Sequence, residues 1–396
     1  MMDTTEYPYW IAIAHLPRWR TERVNRLIVE IIHNRKISLK DFFALSAKDW
    51  QIDFEITDAE TIALSEVKSE LPNHAFLVED LLKQGFQIIP INEKAYSPVL
   101  KKNLGIKFAP PLLYVKGNTK LLHEPSVAIV GSRNASQKAM EFADRVAQKC
   151  TYQYRSVVSG FAKGVDKQAL DSSIKYNGHS VIVLPQGIMT FGSGIRKYYN
   201  QIVEGNVLVL STFHPKAGWD VGLAMARNVY IYGLAEEIYV AESDSKGGTW
   251  SGVSDGLKKD RIIYVRQPEP GEKNANHLLI EKGAVAVDME GNQIPKPVPE
   301  KMKAPLVGIA EPTSNLSPPN KAVSLEERVI EYLTEVNEPR TSKQIKEGLK
   351  IQIDTRELAT KLSKMVTLKK IKDKQVKWEI NHNMDGQKQG NLGLEF

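Results

Sequence analysis

Three cations stand beside small-residue turns in this chain: Arg133 in Gly131-Ser132-Arg133, Lys163 in Ser159-Gly160-Phe161-Ala162-Lys163-Gly164, and Arg227 ahead of Asn228. Each turn is set to follow or open a regular element. Val127, Ala128, Ile129 and Val130 form the kind of continuous apolar run that a parallel strand shows when both of its faces are covered. The glycine and serine that follow allow a tight turn and are expected to leave amide N–H groups free. A helix opening there would point those groups and its positive dipole end at a ligand above the sheet edge. A forked guanidinium at Arg133 suits phosphate oxygens. A second run, Val157-Val158-Ser159-Gly160, repeats the pattern, and Gly247-Gly248-Thr249 reads as a further helix start open to a phosphate. Gln186 and Gly187 end another strand. The shared chemistry is anion binding.

Catalytic chemistry finds less support. The stretch after Val130 is not G-x-G-x-x-G, and no Walker A pattern occurs. Ser159 lacks the glycine frame of a nucleophile elbow. Asp166 reads as a helix cap rather than a general base, and the eight histidines have no metal-ligand spacing. The reading is of a binding edge with no catalytic set, no cofactor and no metal.

For such an edge to exist, the turns must lie on one side of one sheet. From Val127 to about Val287, strand candidates (127–130, 156–159, 180–184, 207–210, 238–241, 262–265, 284–287) alternate with helix candidates. That is the pattern of an α/β fold with an extended, Rossmann-like, doubly wound and mostly parallel sheet. Right-handed crossovers place every strand-to-helix turn at the same edge, where such sheets bind ligands. The expected organisation is an N-terminal helical domain over 1–90 and the Rossmann-like domain over 91–290. A proline-rich linker follows over 291–323, then a winged helix over 324–380 and a disordered tail over 381–396. The run Pro110 to Lys116 reads as an edge strand entered through prolines.

Composition narrows the class. With 396 residues, 42% hydrophobic and 25% charged, the chain is that of a multidomain globular protein. No stretch nears the roughly 18 apolar residues of a membrane span, and the N-terminus has no signal-peptide pattern. A cytoplasmic protein with no membrane partner is expected. The single Cys150 excludes an internal disulfide. The net charge of +6 is unevenly placed. Between Arg340 and Lys377, twelve Lys/Arg face four Asp/Glu, a net +8, so the rest of the chain sums to −2. A basic winged helix suits a nucleic-acid backbone.

The sequence resembles the DNA-processing protein A (DprA/Smf) family. The resemblance is carried by Ala95-Tyr96-Ser97-Pro98-Val99-Leu100, PPLLYVKGN (110–118), VAIVGSR (127–133), VVSGFAKGVD (157–166), VIVLPQGI (181–188), ARN (226–228), the GGT at 247–249 and HLLIEKGA (277–284). It implies single-stranded DNA binding, loading of a RecA-type recombinase, a homodimer and no enzymatic activity. By position it implies a DNA site of Gly131, Ser132, Arg133, Phe161, Lys163, Arg227, Asn228, Gly247, Gly248 and Thr249, with Phe161 as a base-stacking ring. Departures from the family pattern fall at Gln168, Thr212, Gly247 and Arg266-Gln267. Two other classes remain open. One is a nucleotide-processing enzyme of the lysine-decarboxylase-like phosphoribohydrolase class, of whose motif only the glycines and threonine at 247–249 are present. The other is a winged-helix regulator of duplex DNA with a nucleotide-sensing sheet.

Overall fold

The computed structural model describes residues 4–295, 325–336, 338, 340–349, 351, 354–362, 368–372 and 376–380. Residues 1–299 and 300–396 are separate units. The first contains nine strands: β1 (Gln87–Pro90), β2 (Leu112–Lys116), β3 (Ser126–Val130), β4 (Ser156–Ser159), β5 (Ser180–Val183), β6 (Val207–Ser211), β7 (Glu237–Val240), β8 (Ile262–Arg266) and β9 (Val285–Val287). They form one sheet in the order β1-β2-β6-β5-β4-β3-β7-β8-β9. The seven strands from β3 to β9 are mutually parallel, and β2 joins β6 and β1 in antiparallel fashion.

The period of two along β3 assigns its side chains to two cores. Val127 and Ile129 pack with Phe142 and Val146 of the helix Gln137–Tyr152. Ala128 and Val130 face the opposite way, into the cluster that holds Ile231 of the helix Val221–Leu234 and Val253 of the helix Gly248–Lys258. Helices therefore cover both faces, which is why these strands read as unbroken apolar runs.

The sequence expectation for Pro110 to Lys116 needs correcting. The strand is not at an edge, because β2 pairs with β1 on one side and β6 on the other. Pro110 and Pro111 precede Leu112, the first strand residue, so every residue of β2 keeps its N–H for the ladder. The edge falls to β1, whose last residue is Pro90.

Residues 4–86 are mostly helical. Three of their helices start at capping boxes in which Ser38 pairs with Asp41, Ser46 with Asp49 and Thr57 with Glu60. Trp10, Ile11, Leu27, Ile31, Phe42 and Trp50 join the same apolar cluster as one face of the sheet. No helix among the described residues is long and apolar enough to cross a membrane. The second unit carries helices Leu325–Val336, Ser342–Gly348 and Thr355–Leu362 around Val329, Leu333, Ile345, Leu358 and Leu362. Its strands Arg340–Thr341, Leu368–Lys372 and Val376–Ile380 make a three-stranded antiparallel sheet, one strand more than the sequence suggested. Most of the expected linker and the whole expected tail lie outside the described residues.

Candidate functional site

Strand order reverses at β3. The chain steps from β3 through β4 and β5 to β6 on one side, then returns to lay β7 against the other side of β3. The crevice at the carboxyl ends of β3 and β7 is where open α/β sheets take ligands. A cavity of about 360 Å³ lies there. Eight of the ten residues expected at the site line it: Gly131, Ser132, Arg133, Arg227, Asn228, Gly247, Gly248 and Thr249.

The wall after β3 is closely fixed. A Cβ on Gly131 would come within 2.6 Å of Val165 Cγ2 and 3.1 Å of the Glu242 carbonyl oxygen, so only glycine fits. The Ser132 N–H donates to the Glu242 carbonyl (2.9 Å), and the Ser132 carbonyl accepts from the Val165 N–H (3.3 Å). Gly164 has φ +86°, and a Cβ there would meet the Ser132 carbonyl oxygen at 2.4 Å. The turns after β3 and β4 are thus hydrogen-bonded to each other. This corrects one expectation: the Ser132 amide is not free, because a partner about 110 positions later in sequence occupies it. The following helix is capped internally as well, with the Ser136 hydroxyl accepting from Ala139 N–H (3.3 Å).

An uncapped helix start lies on the opposite wall. The helix Gly248–Lys258 begins at Gly247, whose φ of +96° and lack of a side chain leave its first-turn N–H groups without a side-chain cap. Thr249 Oγ1 donates to the Gly131 carbonyl (3.1 Å), tying this helix start to the end of β3. A Cβ on Gly248 would lie 2.7 Å from Asn228 Nδ2, so glycine brings the helix up against Asn228.

Arg227 differs from the other cations: it and Asn228 do not precede a helix, as the sequence suggested, but sit in the middle of the helix Val221–Leu234. Arg227 is only 3% exposed, and its guanidinium donates to the Val183 carbonyl (2.9 Å). It neighbours the buried Asp166, and a Cβ on Gly160 would lie 1.7 Å from Arg227 Nη1. Burial lowers the proton affinity of the Arg227 guanidinium, and Asp166 opposes that shift. Burial raises the Asp166 carboxyl above its ordinary range, against the pull of Arg227, the Ala162 and Gly160 amides and Arg133. Arg227 and Asp166 both line the cavity. The sequence reading had Asp166 as a helix cap and had no means of placing it against Arg227, 61 positions away.

Arg133 is exposed at the cavity wall, and Lys246 is an exposed cation on the same lining that the sequence reading did not include. Lys163 lines an adjoining recess that shares Arg133 and Asn134 with the cavity and continues past Lys167. Phe161 lines neither. Its half-buried ring meets Phe191 edge-on at 5.0 Å and Tyr198 at 5.7 Å. No group of three or more His, Cys, Asp or Glu able to hold a metal occurs among the described residues.

Comparison with known proteins decides the kinship. Residues 87–296, more than half of the chain, match the family of DNA recombination-mediator protein A. This chain belongs to that family. The DNA processing protein DprA of Streptococcus pneumoniae is 30% identical over 181 residues, which cover 45% of this chain and 64% of that protein. Protein Smf of Synechocystis is 29% identical over 195 residues, 47% of this chain and 48% of its own. The chain therefore spans about half to just under two thirds of these relatives. The X-ray structure of DNA processing protein A from Streptococcus pneumoniae superposes with a TM-score of 0.59 at 24% identity, covering 72% of this chain and 95% of that one. The two share a fold.

Proposed function

We propose that the cavity at the carboxyl ends of β3 and β7 holds the sugar–phosphate backbone of single-stranded DNA, and that the protein serves recombination as a mediator. One observation carries this reading. Arg133, Lys246 and the uncapped amides at Gly247–Thr249 surround one cavity, and Lys163 extends the same charge into the next recess. Backbone-directed charge of this kind binds single strands without reading sequence. Gly131 and Ser132 shape the wall, Asn228 supplies a side-chain amide, and Arg227 acts as a buried strut with Asp166 rather than reaching a phosphate itself.

Loading of a RecA-type recombinase, homodimer formation, a cytoplasmic location and the absence of enzymatic activity rest on the family resemblance. They belong to this proposal with it. So does the assignment of residues 324–380 as a winged helix, which the order of helices and short antiparallel strands supports. Its Lys/Arg excess suits a nucleic-acid backbone.

The test compares binding of oligo-dT and duplex by full-length protein across a salt series. Single strands are expected to bind more tightly. Arg133→Ala is expected to weaken binding and flatten the log–log salt slope by about 0.7 for each phosphate no longer neutralised. Unchanged affinity in both Arg133→Ala and Lys163→Ala defeats the assignment. Release of free base from a nucleoside monophosphate supports the phosphoribohydrolase class instead.

A further inference from the structure

Phe161 lies outside the cavity, half-buried against Phe191 and Tyr198, and a separate apolar surface adjoins the cavity. The helix Val221–Leu234 is amphipathic in an unusual sense, because part of its outward face is also apolar. Val221, Met225 and Val229, at i, i+4 and i+8, are 62%, 46% and 37% exposed. This row runs from the anion cavity into a second cavity of about 200 Å³ between the helices Pro98–Phe108, Val221–Leu234 and Gly248–Lys258. Met225, Asn228, Tyr232 and Gly248 line both cavities, so the two are chambers of one groove.

Their chemistry differs. The first chamber presents Arg133, Lys246 and uncapped amides. In the second, the cations already have partners. Lys259 pairs with Asp255 at 2.7 Å, and Arg261 donates to the carbonyls of Tyr232 (2.8 Å) and Ala235. Asn103 likewise donates to the Gly233 and Ala235 carbonyls, both at 2.9 Å. The second chamber has Leu104, Met225 and Val229 on its wall beside Asn103, Ser251 and Asp255, and its two cations, Lys259 and Arg261, each already have a partner. A ligand filling both would carry charge at one end and an apolar body at the other, as a nucleotide unit does. The volume is below the roughly 300–1,000 Å³ of drug-sized sites and suits a single base.

We propose that this second chamber is a nucleobase subsite, in which an unstacked base seats against Val229 and Met225 while its phosphate lies in the neighbouring cavity. The inference rests on the single-strand reading above and goes further by saying where the bases go. Readout is by apolar packing, so base identity has little influence.

The experiment measures fluorescence anisotropy of full-length protein with labelled oligo-dT and with an abasic tetrahydrofuran strand of equal length. Wild type is expected to bind oligo-dT more tightly. Val229→Ser is expected to weaken oligo-dT binding about three- to five-fold, from the apolar area no longer covered, and to leave the abasic strand unaffected, since Val229 does not line the anion cavity. Val229→Met, which keeps an apolar side chain on a good helix former, is expected to restore binding. Equal weakening on both strands, or none on oligo-dT, overturns the subsite. Equal wild-type affinity for the two strands overturns the subsite and leaves the phosphate reading standing. Failure of wild type to hold either strand overturns the phosphate reading itself.

Discussion

Replacing Arg227 with methionine separates a strut from a ligand. Arg227 and Asp166 are 3% and 8% exposed, so the substitution leaves the buried Asp166 carboxyl with only the Ala162 and Gly160 amides and Arg133 to favour its charge, and removes the Arg227 donor to the Val183 carbonyl. Arg227 and Asp166 interact through their charges and form no direct hydrogen bond, so the cost of removing the guanidinium is set by the lost bond to the Val183 carbonyl and the weakened field at Asp166. Arg227→Met alone is therefore expected to destabilise by about 1–3 kcal/mol, and Arg227→Met with Asp166→Asn to recover part of it. The coupling should be about 0.5 kcal/mol or more, as within one charged network. Urea unfolding followed by tryptophan fluorescence measures this, since five of the six tryptophans lie within residues 1–299. A single mutant within about 0.5 kcal/mol of wild type, the range of an ordinary surface change, that nonetheless no longer binds DNA would refute the reasoning. Arg227 would then be a ligand whose burial contributes little to stability.

Other consequences can be measured in the same way. Gly160→Ala puts a methyl group 1.7 Å from Arg227 Nη1, so a destabilisation of about 1–3 kcal/mol from overpacking is expected in the same urea assay. His15 is held down to about 3 by burial and then by His214 and His74, while its Nε2 lies 2.9 Å from the Tyr114 hydroxyl. Above pH 6.5 it is neutral whether folded or unfolded. Below that, the unfolded chain takes a proton that the folded one refuses, so stability falls as pH drops from 6.5 toward 3. By pH 5 the deficit is about 2 kcal/mol. His15→Gln should flatten that part of a stability-versus-pH curve, and an unchanged slope would assign the effect elsewhere.

The sheet was legible because β3 to β8 are largely buried, which writes each strand as an apolar run; small residues follow β3 and β4, whereas β8 ends at Arg266. Gathering of the turns at one rim followed from the handedness of the crossovers. The limits appear where a residue's role depends on a distant partner. Ser132 has the local sequence of a free amide, and only its pairing with Glu242 shows otherwise. Arg227 has the sequence of an exposed phosphate ligand, and its burial depends on the missing side chain of Gly160 and the carboxyl of Asp166. Phe161 follows a glycine at a sheet edge, as a stacking ring would, and Phe191 and Tyr198, 30 and 37 positions later, pack edge-on against it and leave it half-buried. The prolines before β2 suggested a strand margin, although they lie outside the paired residues. Lys246 was within reach of sequence reasoning, since it stands directly before Gly247.

The bonds from Ser132 to Glu242, from Val165 to Ser132 and from Thr249 to Gly131 bind three separate turns into a single rigid collar. A guest meets a shape that already exists, so the entropy given up on capture falls on the guest and not on the host. Selectivity in such a receptor depends on how cheaply the incoming polymer can bend. On the proposed reading, an unpaired strand bends to the collar's contour at less cost than a stiff double helix.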